Sequence, residues 1–141
     1  MIQENSNYQG LAPGKVDSYQ VGVFAFTENE ELVLVTTRNK GSDWILPKGN
    51  TEKDRSDRDQ AREEAYEEAG LKGEMRWKYF EFDTHGKIKK LRVYAMKLEK
   101  MLEDYPEKNE RRRILISFDE AERMVGDDLT AVIQSMRREV S

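Results

Sequence analysis

The chain has 141 residues, a length that favours one domain with a sizeable hydrophobic core. Its net charge of −4 argues against general nucleic-acid binding, and the absence of cysteine excludes disulfides, thiol catalysis and thiolate metal sites. No apolar run approaches membrane-spanning length and no signal-peptide pattern is present, so the sequence predicts a cytoplasmic protein without a membrane partner.

The first predicted elements are a loose arm and two strands. Residues 1–17 are polar with scattered glycine and proline, which is typical of an arm, and we expect a single domain over 18–141. Tyr19 to Phe26 reads as a strand. Leu32 to Thr37 is an almost continuous apolar and β-branched run, as expected of a strand buried on both faces, and residues 27–31 link the two as a hairpin.

A short strand and a glycine come next. Trp44 to Leu46 is predicted to be a strand that Pro47 ends. Gly49 marks a point where the backbone must come close to another group, because glycine lacks Cβ. Lys48, and Arg38 in the preceding basic loop, are candidates for binding a phosphorylated substrate. For Lys48 the ordinary alternative is a solvated surface lysine.

The sequence after this loop predicts a helix over about residues 57–69. Ser56 is a plausible N-cap with Asp59 three residues on, and Gly70 is well placed just after the last turn. A stripe of small residues runs along the helix at i,i+4 spacing and would let it approach a sheet closely: Ala61, Ala65 and Ala69.

Four carboxylates crowd the C-terminal end of this helix: Glu63, Glu64, Glu67 and Glu68. Like charges at i,i+3 and i,i+4 cost roughly a few tenths of a kcal/mol per pair, and the helix dipole disfavours anions at this end. A solvated acidic face is the ordinary explanation, but Glu64 and Glu68 border the alanine stripe. A divalent cation would offset the repulsion, so the pattern suggests metal-assisted chemistry on a phosphate compound.

Residues 49–71 resemble a Nudix box: Gly, five residues, Glu, seven residues, Arg-Glu, an apolar residue, any residue, Glu-Glu, any residue, Gly, an apolar residue. The matching positions are Gly49, Glu64, Ala65, Glu67, Glu68, Gly70 and Leu71. Two positions depart, since Arg55 stands where the family has Glu and Glu63 where it has Arg. In the family these positions orient the metal-binding glutamates. A reversed Arg55–Glu63 ion pair could preserve that support, Arg62 could supply the guanidinium instead, or the support is lost and activity with it.

The resemblance implies a fold and a metal centre. The fold is an α/β class, Nudix-type α/β/α sandwich with a mixed β-sheet. Glu64, Glu67 and Glu68 would be catalytic and, with the Gly49 carbonyl, would hold Mg²⁺ or Mn²⁺. The reaction would be hydrolysis of a pyrophosphate bond in a nucleoside diphosphate linked to another moiety.

The acidic stretch 101–110 is a predicted loop, and loops often carry function on a rigid scaffold. In the family an acid outside the box often binds metal or acts as base. Glu107 and Glu110 are the candidates here, and the general base is either Glu64 or one of these two.

The second half of the chain predicts more strands. Glu74 to Phe82 and Leu91 to Leu98 should form an antiparallel hairpin, with His85 exposed in its turn. Arg111 and Arg113 flank a third arginine before a short strand, and they are candidates for phosphate contact because the middle residue must point away.

Two helices that look like packing elements complete the sequence. Ser117 opens a helix that reaches about Met124, and Gly126 precedes a final helix with apolar residues at helical spacing.

The segments 44–49, 52–54 and 105–113 look most like the family branch that cuts diadenosine and diphosphoinositol polyphosphates. This favours a dinucleoside polyphosphate substrate, with ADP-ribose or a (deoxy)nucleoside triphosphate as alternatives. Two other interpretations remain open: a catalytically silent nucleotide-sensing domain, and an acidic helix on an unrelated domain. We expect a small nucleotide-like ligand, no nucleic acid and, by analogy, a homodimer.

Overall fold

The computed structural model describes residues 18–39, 41–85 and 90–141, so the predicted N-terminal arm lies outside the described residues. The elements in chain order are β1 (Tyr19–Phe26), β2 (Glu31–Thr36), β3 (Trp44–Ile45), β4 (Lys48–Asn50), α1 (Asp57–Ala69), β5 (Leu71–Asp83), β6 (Lys90–Met101), β7 (Arg113–Ser117), α2 (Phe118–Met124) and α3 (Asp127–Val140).

The strands form one mixed sheet with the order β3-β2-β1-β6-β5, in which β4 also pairs with β1 and β7 with β2. The β1–β6 pairing is parallel and the other pairings are antiparallel. β1 and β2 pair only at Phe26 and Leu32, beside their connecting turn. Further along, β1 pairs with β4 and β2 with β3, so the segment around Gly49 lies next to the central strand.

Both faces of the sheet are covered by helices, as the predicted α/β/α sandwich requires. On one face α1 packs on alternate residues of the two central strands: Val21, Val23, Ala25, Val33 and Val35. On the other face α2 and α3 pack on the residues between them: Phe24, Phe26, Leu32 and Leu34. The prediction that the second strand is buried on both faces is therefore confirmed.

Helix α1 has the predicted bounds, because its ends are fixed by local chemistry. The Ser56 side chain accepts a hydrogen bond from the Asp59 N–H at the start. Gly70 ends the helix in the left-handed conformation with φ 65°, which favours glycine. The alanine stripe is fully buried on the sheet, so the predicted close approach is confirmed.

Strands β5 and β6 are longer than the predicted hairpin, and their register is irregular at two places, one between Lys72 and Gly73 and a larger bulge near Trp77. The register shifts between Met75 and Tyr79, which breaks the alternation that the sequence suggests. As a result Met75 is buried while Trp77 is 80% exposed. Arg58 of α1 lies 3.8 Å from the Trp77 ring centre and donates hydrogen bonds to the carbonyls of Met75 (2.7 Å) and Arg76 (3.2 Å).

The C-terminal helices follow the prediction. Ser117 accepts a hydrogen bond from the Glu120 N–H at the start of α2, and Gly126 precedes α3. The described part of the chain has one strand that the sequence analysis did not predict, β4, which is three residues long and pairs with Gln20 to Gly22.

Candidate active site

An acidic cleft of about 450 Å³ lies between the C-terminal half of α1, strand β4 and the loop before β7. The carboxylates that line it are Glu52, Glu64, Glu67, Glu68 and Glu107, and the cations are Lys48, Arg38 and Arg111. Of the candidates from the sequence, Gly49 also lines this cleft, whereas Glu110 and Arg113 do not.

The carboxylate of Glu64 lies against the backbone of Gly49. A Cβ placed on Gly49 would overlap the carboxyl carbon and both oxygens of Glu64. The prediction that another group comes close to this glycine is confirmed, and the group is a carboxylate. Burial raises the pKa of Glu64, while a hydrogen bond from Gln60 acts in the opposite direction.

Glu68 is the most buried carboxylate of the cleft, with 5% of its surface exposed. Its Oε1 accepts a hydrogen bond from the Lys48 backbone N–H at 3.1 Å, and its Oε2 lies 3.3 Å from Arg111 Nη2. Burial raises the pKa of Glu68 to about 7 despite the opposing charge of Arg111. A proton therefore leaves this carboxyl close to neutral pH.

Glu67 connects α1 to the loop between β6 and β7. Its backbone carbonyl accepts a hydrogen bond from the Glu107 N–H at 2.9 Å. Burial, a side-chain hydrogen bond with Glu63 and the charge of Glu64 together raise the pKa of Glu67 to about 7. The cleft thus gathers negative charge that its own cations do not neutralise.

Glu107 is the acid outside the helix that the fold brings into the cleft. Its Oε1 accepts a hydrogen bond from Arg111 Nε at 2.8 Å and lies 3.5 Å from Arg38 Nη2. Glu110 lies beside the cleft, where its carboxylate is 3.5 Å from Arg38 Nε. The structure therefore separates the two loop candidates, with Glu107 inside and Glu110 outside.

The three consecutive arginines have different surroundings. Arg111 is buried in the cleft wall and also donates to the Thr36 carbonyl at 3.0 Å. Arg112 is exposed and points away from the cleft as predicted, although strand alternation is not the cause because β7 begins only at Arg113. Arg113 donates to the Ala69 carbonyl at 2.6 Å and lies over the Tyr105 ring, so it places positive charge at the C-terminal end of α1.

Lys48 contributes two groups to the cleft. Besides the backbone N–H that binds Glu68, its Nζ donates to Gln20 Oε1 at 2.8 Å. Burial lowers the pKa of Lys48, whereas the charge of Glu68 raises it. A partly buried ammonium beside the carboxylates is well placed to meet a phosphate oxygen.

The donor set suits a hard divalent cation. Carboxylate oxygens and backbone carbonyls are the ligands that Mg²⁺ and Mn²⁺ prefer, and several line this one cleft. Within the described residues, no three acidic or histidine side chains already converge on a point that would hold an ion. Protein donors orient one oxygen of each of two carboxylates: Glu64 Oε2 accepts a hydrogen bond from Gln60 Nε2 at 2.7 Å, and Glu68 Oε1 accepts one from the Lys48 backbone N–H at 3.1 Å.

The two departures from the box are not joined to each other. Within the described part of the chain Arg55 forms no ion pair with Glu63, and Arg62 pairs with Asp59 at 2.9 Å. Arg55 Nη1 instead donates to Gln60 Oε1 at 3.0 Å. The reversed ion pair and the Arg62 alternative are therefore both wrong. Sequence reasoning missed Gln60, whose one signal was its position four residues before Glu64.

A second cavity of about 540 Å³ adjoins the cleft and shares Gln20, Ile45 and Lys48 with it. Its walls combine apolar side chains with polar groups at the rim: Trp44, Leu91, Met124, Leu129, Asp43, Ser42, Thr84, Lys90 and Asp128. His85 lines neither cavity and is exposed, as predicted.

The mixed sheet and the helices on its two faces define an α/β/α sandwich. Its acidic cleft lies where the glutamates of α1 meet Gly49. A family model described as the NUDIX domain matches residues 18–134, and the chain belongs to this family. The alternative of an acidic helix on an unrelated domain is therefore wrong.

Named relatives agree with this assignment. The chain is 34% identical to Nudix hydrolase 4 of Arabidopsis thaliana over 94 residues, which are 63% of this chain and 45% of that protein. It is 29% identical to diphosphoinositol polyphosphate phosphohydrolase 2 of Rattus norvegicus over 82 residues, 58% of this chain and 46% of that protein. The chain thus spans about half the length of the curated relatives it matches.

Solved structures share the fold. A NUDIX hydrolase from Nitrosomonas europaea superposes with a TM-score of 0.66 at 16% identity, covering 88% of this chain and 90% of that one. The MutT protein from Methanosarcina mazei Go1 gives a TM-score of 0.64 at 15% identity, covering 92% and 99%. None of the helices in the described residues has the length and apolar character to cross a membrane. The cytoplasmic location stays a prediction.

Proposed function

We propose that the protein hydrolyses a pyrophosphate bond in a nucleoside diphosphate linked to another moiety, with Mg²⁺ or Mn²⁺ as cofactor. The observation that carries this proposal is the acidic cleft, in which the glutamates of α1 and Glu107 face Lys48 and Arg111. Excess carboxylate suits a divalent cation, and the adjacent cations suit phosphate oxygens.

The metal would be held by Glu64, Glu67 and Glu68, with the Gly49 carbonyl and Glu107 as further ligands. When bound, a divalent cation supplies neutralisation of phosphate charge and a more acidic water. The protein's own contribution is to place these carboxylates: Glu64 packs against the Gly49 backbone, and Glu68 accepts a hydrogen bond from the Lys48 N–H.

The general base is Glu64 or Glu107 in this proposal. Both carboxylates line the cleft, and burial raises the pKa of Glu64, which makes it a better proton acceptor. Glu110 is a weaker candidate because it does not line the cleft.

Substrate phosphates would contact Lys48, Arg111 and Arg38. The Arg38 side chain is 60% exposed and its two ion pairs are both long, at 3.5 Å, so it can turn to a ligand at little cost. Arg113 does not line the cleft, and its hydrogen bond to the end of α1 supports a structural role instead.

The cavity that adjoins the cleft would accommodate a nucleoside on one side of the pyrophosphate. Its apolar walls and polar rim suit a flat base better than a second cluster of phosphates. We therefore favour a dinucleoside polyphosphate, followed by ADP-ribose or a (deoxy)nucleoside triphosphate. A homodimer remains part of this proposal by analogy alone.

The second candidate function is a catalytically silent, nucleotide-sensing domain. The observation that favours it is the exchange of charge at Arg55 and Glu63, which leaves these two residues unpaired with each other. A silent domain would bind nucleotide without a requirement for metal.

The experiment measures phosphate products from diadenosine polyphosphates, ADP-ribose, nucleoside triphosphates and a diphosphoinositol, with Mg²⁺, with Mn²⁺ and with EDTA. Glu68→Gln should lower turnover by about three orders of magnitude, because metal supplies several kcal/mol of charge stabilisation. Glu99→Gln, an exposed glutamate on β6, is the matched control and should leave turnover unchanged.

Turnover that survives EDTA, or that survives Glu68→Gln at full rate, would contradict the proposal. Binding of nucleotide with no turnover of any compound would favour the sensing domain.

A further inference from the structure

The side-chain amide of Gln60 lies between Arg55 and Glu64. Gln60 is buried, with 3% of its surface exposed. Its Oε1 accepts a hydrogen bond from Arg55 Nη1 at 3.0 Å, and its Nε2 donates to Glu64 Oε2 at 2.7 Å. Arginine can only donate and an ionised carboxylate can only accept, so the two partners fix which end of the amide faces which.

Glu64 is thereby held from two directions. The Gly49 backbone lies against its whole carboxyl group, and the Gln60 amide binds one of its two oxygens. Gln60 precedes Glu64 by one helical turn on the same face of α1, so the contact is short and its geometry is set by the helix.

A neutral amide in this position has a specific chemical advantage. A guanidinium placed directly on Glu64, as Arg111 is on Glu68, would compete with a divalent cation for the charge of the carboxylate. Arg55 orients the Gln60 amide, and the amide in turn orients the Glu64 carboxylate. The amide is neutral, so it adds no full positive charge beside the carboxylate. The arrangement also explains why Arg55 can replace an acid, because Gln60 offers it an acceptor.

We propose that Arg55 and Gln60 are positioning residues that act in series on Glu64, so that metal affinity depends on the Gln60 amide. This inference rests on the metal site of the proposed function. It assigns to Gln60, at a position that the box pattern leaves unspecified, the link between Arg55 and Glu64.

The test measures binding of Mn²⁺ alone, by calorimetric titration without nucleotide. Gln60→Leu keeps much of the volume and removes both hydrogen bonds, and we expect about tenfold weaker Mn²⁺ binding, as for other residues that orient metal ligands. Arg55→Met should weaken binding less. The double variant should bind as Gln60→Leu does, because the two residues act in one chain.

Arg62→Met is the matched control. It removes the same charge from a neighbouring arginine that contacts Asp59 and not Gln60, and its Mn²⁺ affinity should equal that of the unmodified protein. Thermal unfolding of each variant checks that it is folded. Gln60→Met, which is unbranched, replaces the leucine variant if that one does not fold.

The outcomes separate this inference from the proposed function. Unchanged Mn²⁺ affinity in a folded Gln60 variant, or losses that add in the double variant, would overturn the inference alone. An unmodified protein that binds no Mn²⁺ would overturn both. Mn²⁺ binding that depends on Gln60 in a protein without turnover would support the inference and refute the proposed hydrolysis.

Discussion

The two ends of helix α1 both bury charge, but they balance it differently. At the N-terminal end Arg92, with 4% of its side chain exposed, lies 3.1 Å from Asp57 and 2.8 Å from Glu81. At the C-terminal end, Glu68 pairs with Arg111. Within the described residues, this is the one ion pair formed by Glu64, Glu67 or Glu68. The first end is a closed network that fixes the helix on the sheet. The second retains repulsion that a cation would relieve.

The largest effect is expected when the Arg92 network at the N-terminal end of α1 is removed. Arg92→Met leaves the buried Glu81 and the half-buried Asp57 without this guanidinium, and we expect the free energy of unfolding to fall by about 3 kcal/mol. Urea denaturation measures it. Arg123→Met removes an exposed arginine paired with Glu120 and should change stability little. Equal losses in both variants would show that the Arg92 network is not a special source of stability.

At the C-terminal end of α1, the stability of the protein should depend on pH. The pKa values of Glu67 and Glu68 are raised to about 7, so the folded protein binds protons that the unfolded chain releases above about pH 4.5. Without metal, stability should therefore fall as pH rises from about 4.5 to 7 and then level off.

Metal binding should have the opposite pH dependence, because a cation displaces those protons. We expect Mn²⁺ affinity to rise up to about tenfold per pH unit for each proton released, below about pH 7. Calorimetric titration in buffers of different ionisation enthalpy measures the proton release. Glu68→Gln should reduce that release, and affinity that does not vary between about pH 6 and 8 would contradict the prediction.

The smallest expected effect concerns the arginine at the end of α1. Arg113→Met should lower the free energy of unfolding by about 1 kcal/mol, because the last turn loses a cation, and it should leave kcat/KM unchanged. Arg111→Met is the comparison, since it removes a cation from the cleft and should lower kcat/KM. A drop in kcat/KM for Arg113→Met would return that residue to the substrate site.

The sequence was sufficient wherever structure is set by neighbours along the chain. The bounds of α1 follow from the Ser56 cap and the left-handed Gly70, which act within one turn of the helix. The resemblance to the family box singled out Glu64, Glu67 and Glu68, and the fold brings them into one cleft with Gly49. The metal-binding and catalytic roles of these residues stay predictions.

Contacts between distant segments were beyond the sequence. Arg113 reaches the Ala69 carbonyl across 44 positions, and Arg58 of another element binds the backbone of the bulge near Trp77. Neither contact has a local signal, since arginine in a charged stretch has many possible partners. Gln60 lies within the helix, but the sequence does not show that the loop before α1 folds so that Arg55 donates a hydrogen bond to it.

The bulge in β5 also has a consequence for solubility. β5 ends the strand order of the sheet, and a long outer strand invites pairing with another chain. Arg58 occupies the carbonyls of Met75 and Arg76 in the middle of that strand, and charged residues on either side are exposed: Lys72, Glu74, Arg76 and Lys78. We therefore expect the bulge and these charges to disfavour pairing of this outer strand with another chain.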